Sequence, residues 1–296
     1  MNDVSRRHWI GIGLVLLSAV CFSATSASAV LSYKAAANPV AVITIRFLGG
    51  IILLSLLLKF TGAPLVLPPR DRWLALGLGV FLAGQSFFLY SSFELIPVGL
   101  TMIIFYIYPL MVAMVESLTG HERLSPAIWG ALALAFMGLV LVLNVTGDGL
   151  NALGATYAVI AGLGWGCLTI FSSRVMKGGD ARAVTLHMQI GAAITYLLVC
   201  LITLDVGLPA TIQGWAAFMA MPVFYTVAVT AFFAAVAVTG SVRASLFMNI
   251  EPVVTICFGF VILGQVLVPY QLLGAALVIG AVVAVRWEGV RKAATR

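Results

Sequence analysis

Charged residues are scarce in this chain of 296 residues. Asp, Glu, Lys and Arg together make up 9% of it, apolar residues make up 62%, and the mean hydropathy is +1.13. Soluble domains contain about 25% charged and 45–50% apolar residues. The imbalance excludes an ordinary soluble domain and indicates an integral membrane protein.

Cysteine and the common catalytic motifs are also rare or absent. The four cysteines lie inside apolar stretches without metal-ligand or CxxC spacing, so we interpret them as packed thiols. The sequence has no Walker A loop, no GxSxG or HExxH motif and no pair of intramembrane aspartates. We therefore expect no enzyme activity, no metal and no cofactor. A nucleic-acid partner is not expected either, because no basic patch with interleaved aromatic residues occurs.

Ten apolar segments follow one another along the chain. Each is long enough to cross a bilayer, and turn-forming residues such as Asn38-Pro39, Gly147-Asp148-Gly149 and Gly178-Gly179-Asp180 separate them. The sequence therefore predicts an all-α membrane protein with ten transmembrane helices. The segments run approximately over 9–31, 39–58, 73–93, 98–118, 126–145, 153–175, 183–204, 215–238, 242–263 and 269–285.

The distribution of basic residues predicts the orientation. With ten segments and a cytoplasmic N-terminus, 14 of the 16 Lys and Arg residues fall on the cytoplasmic side. Lys34 falls on the other side, and Arg46 lies within the second segment. Positive residues are retained on the cytoplasmic side of membrane proteins. We therefore expect both termini in the cytoplasm, and we interpret the net charge of +6 as a consequence of topology.

An internal repeat relates the two halves of the chain. At an offset of 143 residues (252 − 109), Pro109 corresponds to Pro252 and Phe22 to Trp165, and other pairs keep the same register. We expect a first repeat over 1–147 and a second over 148–296, within one membrane domain. Each repeat holds five helices, an odd number, so the second enters the membrane in the opposite sense. This arrangement predicts a 5+5 inverted-topology repeat, which is typical of secondary transporters.

Pro109 and Pro252 lie in the middle of the fourth and ninth segments. A proline within a helix lacks an amide donor and frees the carbonyl four residues earlier, here those of Phe105 and Met248. We expect both prolines to act as hinges where the repeats face one another, although a static packing kink is the alternative.

Arg46 and Glu251 are ionisable residues that lie well inside apolar segments, away from the segment ends. Glu251 precedes Pro252, and a carboxylate at that depth costs about 2.5–3.5 kcal/mol on insertion scales. Three roles remain open for it: pairing with a buried partner, binding a substrate amine or cation, or carrying a coupling proton. Arg46 lies about 10 Å below the outer surface. Its side chain either extends to the interface and satisfies helix-end carbonyls, or it has a functional role.

Aromatic and polar residues at central depth are candidates for a substrate-binding pocket. Such a mixture suits a small amphipathic solute with an apolar body and a few polar groups. Besides Glu251, the candidates are Phe22, Gln85, Tyr90, Phe105, Tyr106, Trp165, Phe171, Tyr225, Phe233 and Asn249. Nearer the cytoplasmic end of the fourth segment, we expect Glu116 and Glu122 to form a solvated ion pair with Arg123.

The order and spacing of several short motifs resemble one known family. Over residues 9–287 the chain is similar to the drug/metabolite transporter superfamily, and specifically to its EamA-type ten-helix exporters. Two positions depart from that pattern: Gln265 replaces an acidic residue, and Gln189 replaces the arginine expected as the repeat mate of Arg46. The matching pieces are Ile45-Arg46-Phe47, Tyr108-Pro109, Glu122-Arg123-Leu124-Ser125, Gly130, Gly138, Ile250-Glu251-Pro252-Val253 and the stretch from Gly274 to Gly280.

The resemblance implies a function. It implies an inner-membrane exporter of small metabolites, with amino acids as the substrates if the chain belongs to the YddG-like branch. We expect alternating access about a central cavity, with proton coupling and oligomeric state left open. Three alternatives are an exporter of other amphipathic or cationic compounds of the multidrug type, a passive channel and a membrane enzyme. The small multidrug relatives carry an essential acid in their first helix, and the first segment here has none.

Overall fold

The computed structural model describes residues 3–96, 98–122, 124–143, 151–176, 179–204, 206–263 and 268–294. All regular secondary structure in these residues is helical. The twelve helices are α1 (Asp3–Lys34), α2 (Pro39–Phe60), α3 (Pro69–Leu95), α4 (Val98–Phe105), α5 (Tyr108–Leu118), α6 (Pro126–Leu143), α7 (Ala152–Met176), α8 (Ala181–Thr203), α9 (Ile212–Thr239), α10 (Ser241–Met248), α11 (Ile250–Leu263) and α12 (Pro269–Ala294).

These helices form ten membrane spans. Nine stretches of the described chain are long and apolar enough to cross a bilayer, and Pro269–Val285 of α12 is a shorter apolar helix. The helices α4 and α5 together make one span, and α10 and α11 together make another. The all-α, ten-helix architecture is confirmed. An even number of spans places both ends of the described chain on the same side of the membrane.

Three spans begin three or more residues before the apolar segment that predicted them, and the other seven begin within two residues of it. The third span begins at Pro69 rather than Trp73, and the eighth at Ile212 rather than Trp215. Hydropathy marks only the part of a helix that lies in lipid, whereas capping groups set its first turn. The Thr211 hydroxyl accepts a hydrogen bond from the amide of Gly214 (3.1 Å), and Asn38 does the same for Ala41 (2.9 Å).

The predicted repeat is visible in the helix boundaries. At the offset of 143 residues, α4 begins and ends opposite α10, α6 begins opposite α12, and α3 begins opposite α9. The two repeats therefore match element by element, and five spans in each make their senses opposite, as predicted. The expected boundary between residues 147 and 148 lies outside the described residues, as do Arg123 and Gln265.

Helices pack mainly across the two repeats rather than within them. The helix α1 lies along α9, and the equivalent pair α3 and α7 lies together in the same way. The equivalent helices α6 and α12 also pack against each other. A Cβ atom added to Gly138 would lie 2.7 Å from the carbonyl oxygen of Gly274, so this contact requires glycine. The two repeats consequently share one core.

Candidate functional site

The fourth and ninth spans are each interrupted three residues before a proline. Tyr106 and Ile107 separate α4 from α5, and Asn249 separates α10 from α11. Pro109 and Pro252 follow in the first turn of the next helix, where a missing amide costs nothing. The helices α5 and α10 contact each other. Both prolines thus mark real breaks, and the breaks lie at equivalent positions of the two repeats.

The backbone carbonyls at the breaks face neighbouring helices. The Phe105 carbonyl lies against α7 where a Cβ atom at Gly162 would come within 2.8 Å of its oxygen. The Tyr106 hydroxyl lies 3.5 Å from the Met248 carbonyl oxygen, and its single proton is donated to the carboxyl group of Glu251 at 2.6 Å. The Asn249 carboxamide donates to the Leu246 carbonyl oxygen at 2.9 Å and so closes the end of α10. The Asn249 side chain therefore satisfies one carbonyl group at the second break.

A cavity of about 90 Å³ lies beside the breaks. Its walls come from both repeats, on α1, α2, α3, α4, α5, α7, α9, α10 and α11 and at the first break. It brings together eight of the eleven pocket residues expected from the sequence. These are Phe22, Gln85, Tyr90, Phe105, Tyr106, Trp165, Tyr225 and Glu251.

Glu251 is the acidic side chain of this cavity. It is buried, and its Oε2 accepts a hydrogen bond from the Tyr106 hydroxyl at 2.6 Å. No basic side chain forms an ion pair with it among the described residues. Its hydrogen-bond partner comes from the break of the other repeat. The cavity therefore contains one carboxyl group that is oriented by a phenol and not neutralised by a cation.

Arg46 is the basic side chain of the same cavity, and it is only 4% exposed. Its two terminal nitrogens donate to the hydroxyls of Tyr90 (3.1 Å) and Ser86 (3.0 Å) on α3. The interfacial interpretation of Arg46 is therefore wrong. Cation–π contacts hold the guanidinium at depth, because its Cζ lies 4.1 Å from the ring centre of Tyr225 and 4.7 Å from that of Phe47.

Aromatic rings form the apolar walls. Phe22 packs edge-on against its repeat mate Trp165, with ring centres 6.1 Å apart, and against Tyr225 at 6.0 Å. The ring of Phe105 also packs against Trp165, with ring centres 6.5 Å apart. Because Phe22 and Trp165 are equivalent residues of the two repeats and contact each other, the repeats meet at this cavity. The walls offer apolar surface between the two ionisable groups.

Three predicted pocket residues lie elsewhere. Phe233 is fully buried behind Trp165, with ring centres 6.1 Å apart, because α9 turns this side chain into the core. The carboxamide of Asn249 donates its hydrogen bond to the Leu246 carbonyl oxygen at the end of α10. Phe171 is 50% exposed on the outer face of α7, beyond the reach of the cavity. Central depth alone did not distinguish these residues, since it does not tell which face of a helix points inward.

Several cavity residues were not predicted. Ser86, Leu89 and Phe93 extend the face of α3 that carries Gln85 and Tyr90, and their spacing of three and four residues could have indicated it. The others lie on α1, α4, α5 and α10, where the sequence offers no comparable signal. These are Thr25, Ser26, Met102, Tyr108 and Met248.

A second, larger cavity of about 240 Å³ lies at the end of the bundle predicted to be cytoplasmic. Glu116 and Glu122 are among its walls, together with the start of α10. Glu116 is buried and accepts a hydrogen bond from the Ser241 hydroxyl at 3.1 Å, so the expectation that it is solvated is wrong. The smaller cavity is the candidate substrate site, because it lies at the two breaks.

Comparison with known proteins agrees with this architecture. A solved structure, described only as the crystal structure of a protein, aligns with a TM-score of 0.78 at 19% sequence identity, over 94% of this chain and 96% of the other. At that identity the likeness concerns the fold. No curated protein matches the sequence significantly. The EamA-like transporter family matches residues 9–144 and again residues 152–287, one match for each repeat. The chain therefore belongs to the EamA-like transporter family and is a multi-pass membrane transporter of the drug/metabolite transporter superfamily, with a small molecule as its substrate.

Proposed function

We propose that this protein is a secondary transporter that exports small metabolites, foremost amino acids, across the inner membrane by alternating access. Both termini lie in the cytoplasm in this proposal, in keeping with the distribution of Lys and Arg. The central cavity favours a small amphipathic substrate, because its walls combine a guanidinium, a carboxyl group and aromatic rings. Its volume of about 90 Å³ favours a metabolite over a large drug.

One observation carries the mechanism: equivalent residues of the two repeats have different surroundings. Tyr90 faces the cavity, whereas its repeat mate Phe233 is fully buried. Arg46 likewise lies at the cavity, whereas Gln189 is fully buried and neither polar atom of its carboxamide has a hydrogen-bond partner. When inverted repeats exchange conformations, the packed positions of one repeat become the open positions of the other. Exchange would thus expose Gln189 and relieve its unsatisfied amide.

A test of alternating access uses these equivalent positions. We expect Tyr90→Cys and Phe233→Cys, each placed in a chain whose four native cysteines are replaced, to react with an impermeant maleimide from opposite sides of the membrane. Phe232→Cys, one residue along in the core, serves as the unreactive control. Labelling of both positions from the same side would contradict the mechanism.

The transported solute is tested in proteoliposomes. Vesicles loaded with unlabelled L-phenylalanine are expected to accumulate labelled L-phenylalanine transiently above its equilibrium level, with saturation. A channel would give equilibration without the transient excess, and a membrane enzyme would give a product without transport. Protein-free vesicles provide the background.

An exporter of amphipathic cations is the second candidate. Glu251 supports it, because a carboxyl group among aromatic rings can hold an organic amine. Arg46 in the same cavity opposes it, since a fixed guanidinium repels such a ligand. Counterflow with a quaternary amine in place of L-phenylalanine separates the two candidates.

A further inference from the structure

The guanidinium of Arg46 is not neutralised within the described part of the protein. The ion pairs there join Arg182 to Asp180 and Arg243 to Glu122. Glu251 shares the cavity with Arg46, but its carboxyl group is bonded to Tyr106. A single cation at this depth is costly, and buried charges in proteins are normally paired.

The groups around Arg46 hold it without using its full bonding capacity. A guanidinium carries five N–H donors in a planar fork. Two hydroxyls accept from its terminal nitrogens, and its Nε is buried without a hydrogen-bond partner. Rings stabilise a cation but do not accept hydrogen bonds in the plane of the fork. The side chain is therefore fixed in position with donor capacity left over.

A carboxylate fits this arrangement. It is planar, it carries the missing charge, and it pairs with guanidinium through short charge-assisted hydrogen bonds. The hydroxyl of Tyr225, whose ring packs on Arg46, also lacks a hydrogen-bond partner and supplies a further donor at the cavity wall. The hydroxyls and rings that contact the guanidinium are neutral, and its burial strengthens its attraction for an anion.

We propose that Arg46 is the subsite for the carboxylate of the transported solute. The inference rests on the proposed function, since it places a group of the substrate in the transport cavity, and it narrows the substrate class to acids that carry an apolar body. An amine on the substrate is accommodated but not required by this subsite. Amphipathic cations without a carboxylate bind at least tenfold more weakly in this proposal.

The competing explanation is that Arg46 only braces α2 against α3 through Tyr90 and Ser86. Selectivity among three related probes separates the two roles. L-Phenylalanine has both charged groups, 3-phenylpropionate has the carboxylate alone, and L-phenylalaninamide has the amine alone. A brace affects all three equally, whereas a carboxylate subsite discriminates between them.

The experiment measures how strongly each probe inhibits counterflow of labelled L-phenylalanine by the full chain. For the wild type we expect 3-phenylpropionate to inhibit at a concentration at least tenfold lower than L-phenylalaninamide. Arg46→Gln is expected to weaken inhibition by the carboxylate at least tenfold and to leave inhibition by the amide unchanged. Arg46→Lys should restore part of the preference, because it returns the charge without the fork. Arg182→Gln, in the first turn of α8 and away from the cavity, is the matched arginine control.

A second measurement covers the case in which Arg46→Gln is inactive. The rise in thermal unfolding temperature of detergent-solubilised protein reports binding directly, and Tyr90→Phe removes one hydroxyl that positions Arg46 while retaining the ring. We expect 3-phenylpropionate to stabilise the wild type strongly, Tyr90→Phe less, and Arg46→Gln not at all.

The outcomes separate this inference from the proposed function. Equal loss of acid and amide recognition in Arg46→Gln would overturn the subsite and leave transport standing. Stabilisation of the wild type by 3-phenylpropionate, lost in Arg46→Gln, together with no counterflow of L-phenylalanine, would uphold the subsite and reject the proposed amino-acid export. Failure of every carboxylate probe to stabilise or compete at the wild type would overturn the subsite.

Discussion

At the scale of single residues, the cavity is unusual in holding two ionisable side chains that do not pair with each other. Arg46 is bonded to hydroxyls and rings, and Glu251 is bonded to a phenol. Arg46 lies in the second span, in the first repeat, and Glu251 lies in the ninth span, in the second repeat. Their repeat mates, Gln189 and Tyr108, are uncharged. The charged residues of the cavity therefore differ between the two repeats, although the helices that carry them are equivalent.

Glu251 is expected to govern the pH dependence of transport. It supplies the only carboxyl group among the cavity walls of the described chain. In Glu251→Gln the amide oxygen can still accept from Tyr106, so the fold should be retained while the titrating group is lost. We expect wild-type counterflow to change with pH and the variant to show a flat profile. Glu116→Gln, at the other cavity, is the control. Identical pH profiles for Glu251→Gln and the wild type would show that Glu251 does not cause the pH dependence.

Outside the membrane, Asp180 links stability to pH. Its side chain accepts from the backbone amide of Arg182 at the start of α8, and hydrogen bonds from the Arg182 side chain lower the pKa of Asp180 below 3.8. Because the folded-state pKa is the lower one, the stabilisation is present above pH 3.8 and is lost as the pH falls through the folded-state value.

We therefore expect Asp180→Ala to lower the unfolding free energy by about 1 kcal/mol at pH 7, the usual contribution of such a cap. The difference from the wild type should shrink as the pH falls below the ordinary aspartate range. Thermal unfolding in detergent, at pH 7 and at lower pH, measures the difference in stability between the variant and the wild type. Asp180→Asn, which keeps an acceptor oxygen, should be intermediate, and a difference independent of pH would argue against the ion pair.

At the scale of helices, the sequence indicated the breaks better than it indicated the pocket. Proline has one backbone property that acts wherever it occurs, so Pro109 and Pro252 could be read directly. The burial of Phe233 and Asn249 could not be predicted from the sequence, because it depends on how α9 and α10 are rotated against their neighbours. The position of the Arg46 side chain could not be predicted for the same reason, because the ring of Tyr225 that lies over its guanidinium comes from a distant part of the chain.

The breaks are expected to set the rate of conformational exchange. In Pro109→Ala or Pro252→Ala the restored amide can bond to the preceding turn and make the span more continuous. We expect slower counterflow with unchanged membrane insertion and unchanged probe binding. Pro222→Ala is the matched control, since Pro222 lies inside α9 and that helix continues through it. Normal turnover in both hinge variants would show that the breaks are static.

At the scale of the whole molecule, the two repeats form one packing unit. The principal helix contacts join α1 to α9, α3 to α7 and α8, and α6 to α12, all across the repeats. The number of spans and the repeat could be predicted from the sequence, because apolar length and spacing are local properties. The interlocking of the repeats could not, since it depends on which helix faces meet.

This packing predicts the behaviour of a divided chain. We expect residues 1–147 or 148–296 expressed alone to be degraded, because each repeat leaves its main contact faces uncovered. Expressed together, the two fragments should assemble and restore counterflow to a measurable fraction of the wild-type rate. Copurification of a tagged fragment with its untagged partner measures the assembly. Stable accumulation of either fragment alone would mean that the repeats fold independently.

The phenol of Tyr106 connects the two breaks physically, since it donates to Glu251 and reaches the Met248 carbonyl from the opposite repeat. If one break moved while the other stayed, this connection would be lost. A transporter that opened to both aqueous phases at once would dissipate the ion gradients of the cell. We therefore expect Tyr106→Phe, which keeps the ring and removes the hydroxyl, to raise proton leakage through reconstituted vesicles. On this account one hydroxyl group helps the cell to keep its membrane energised.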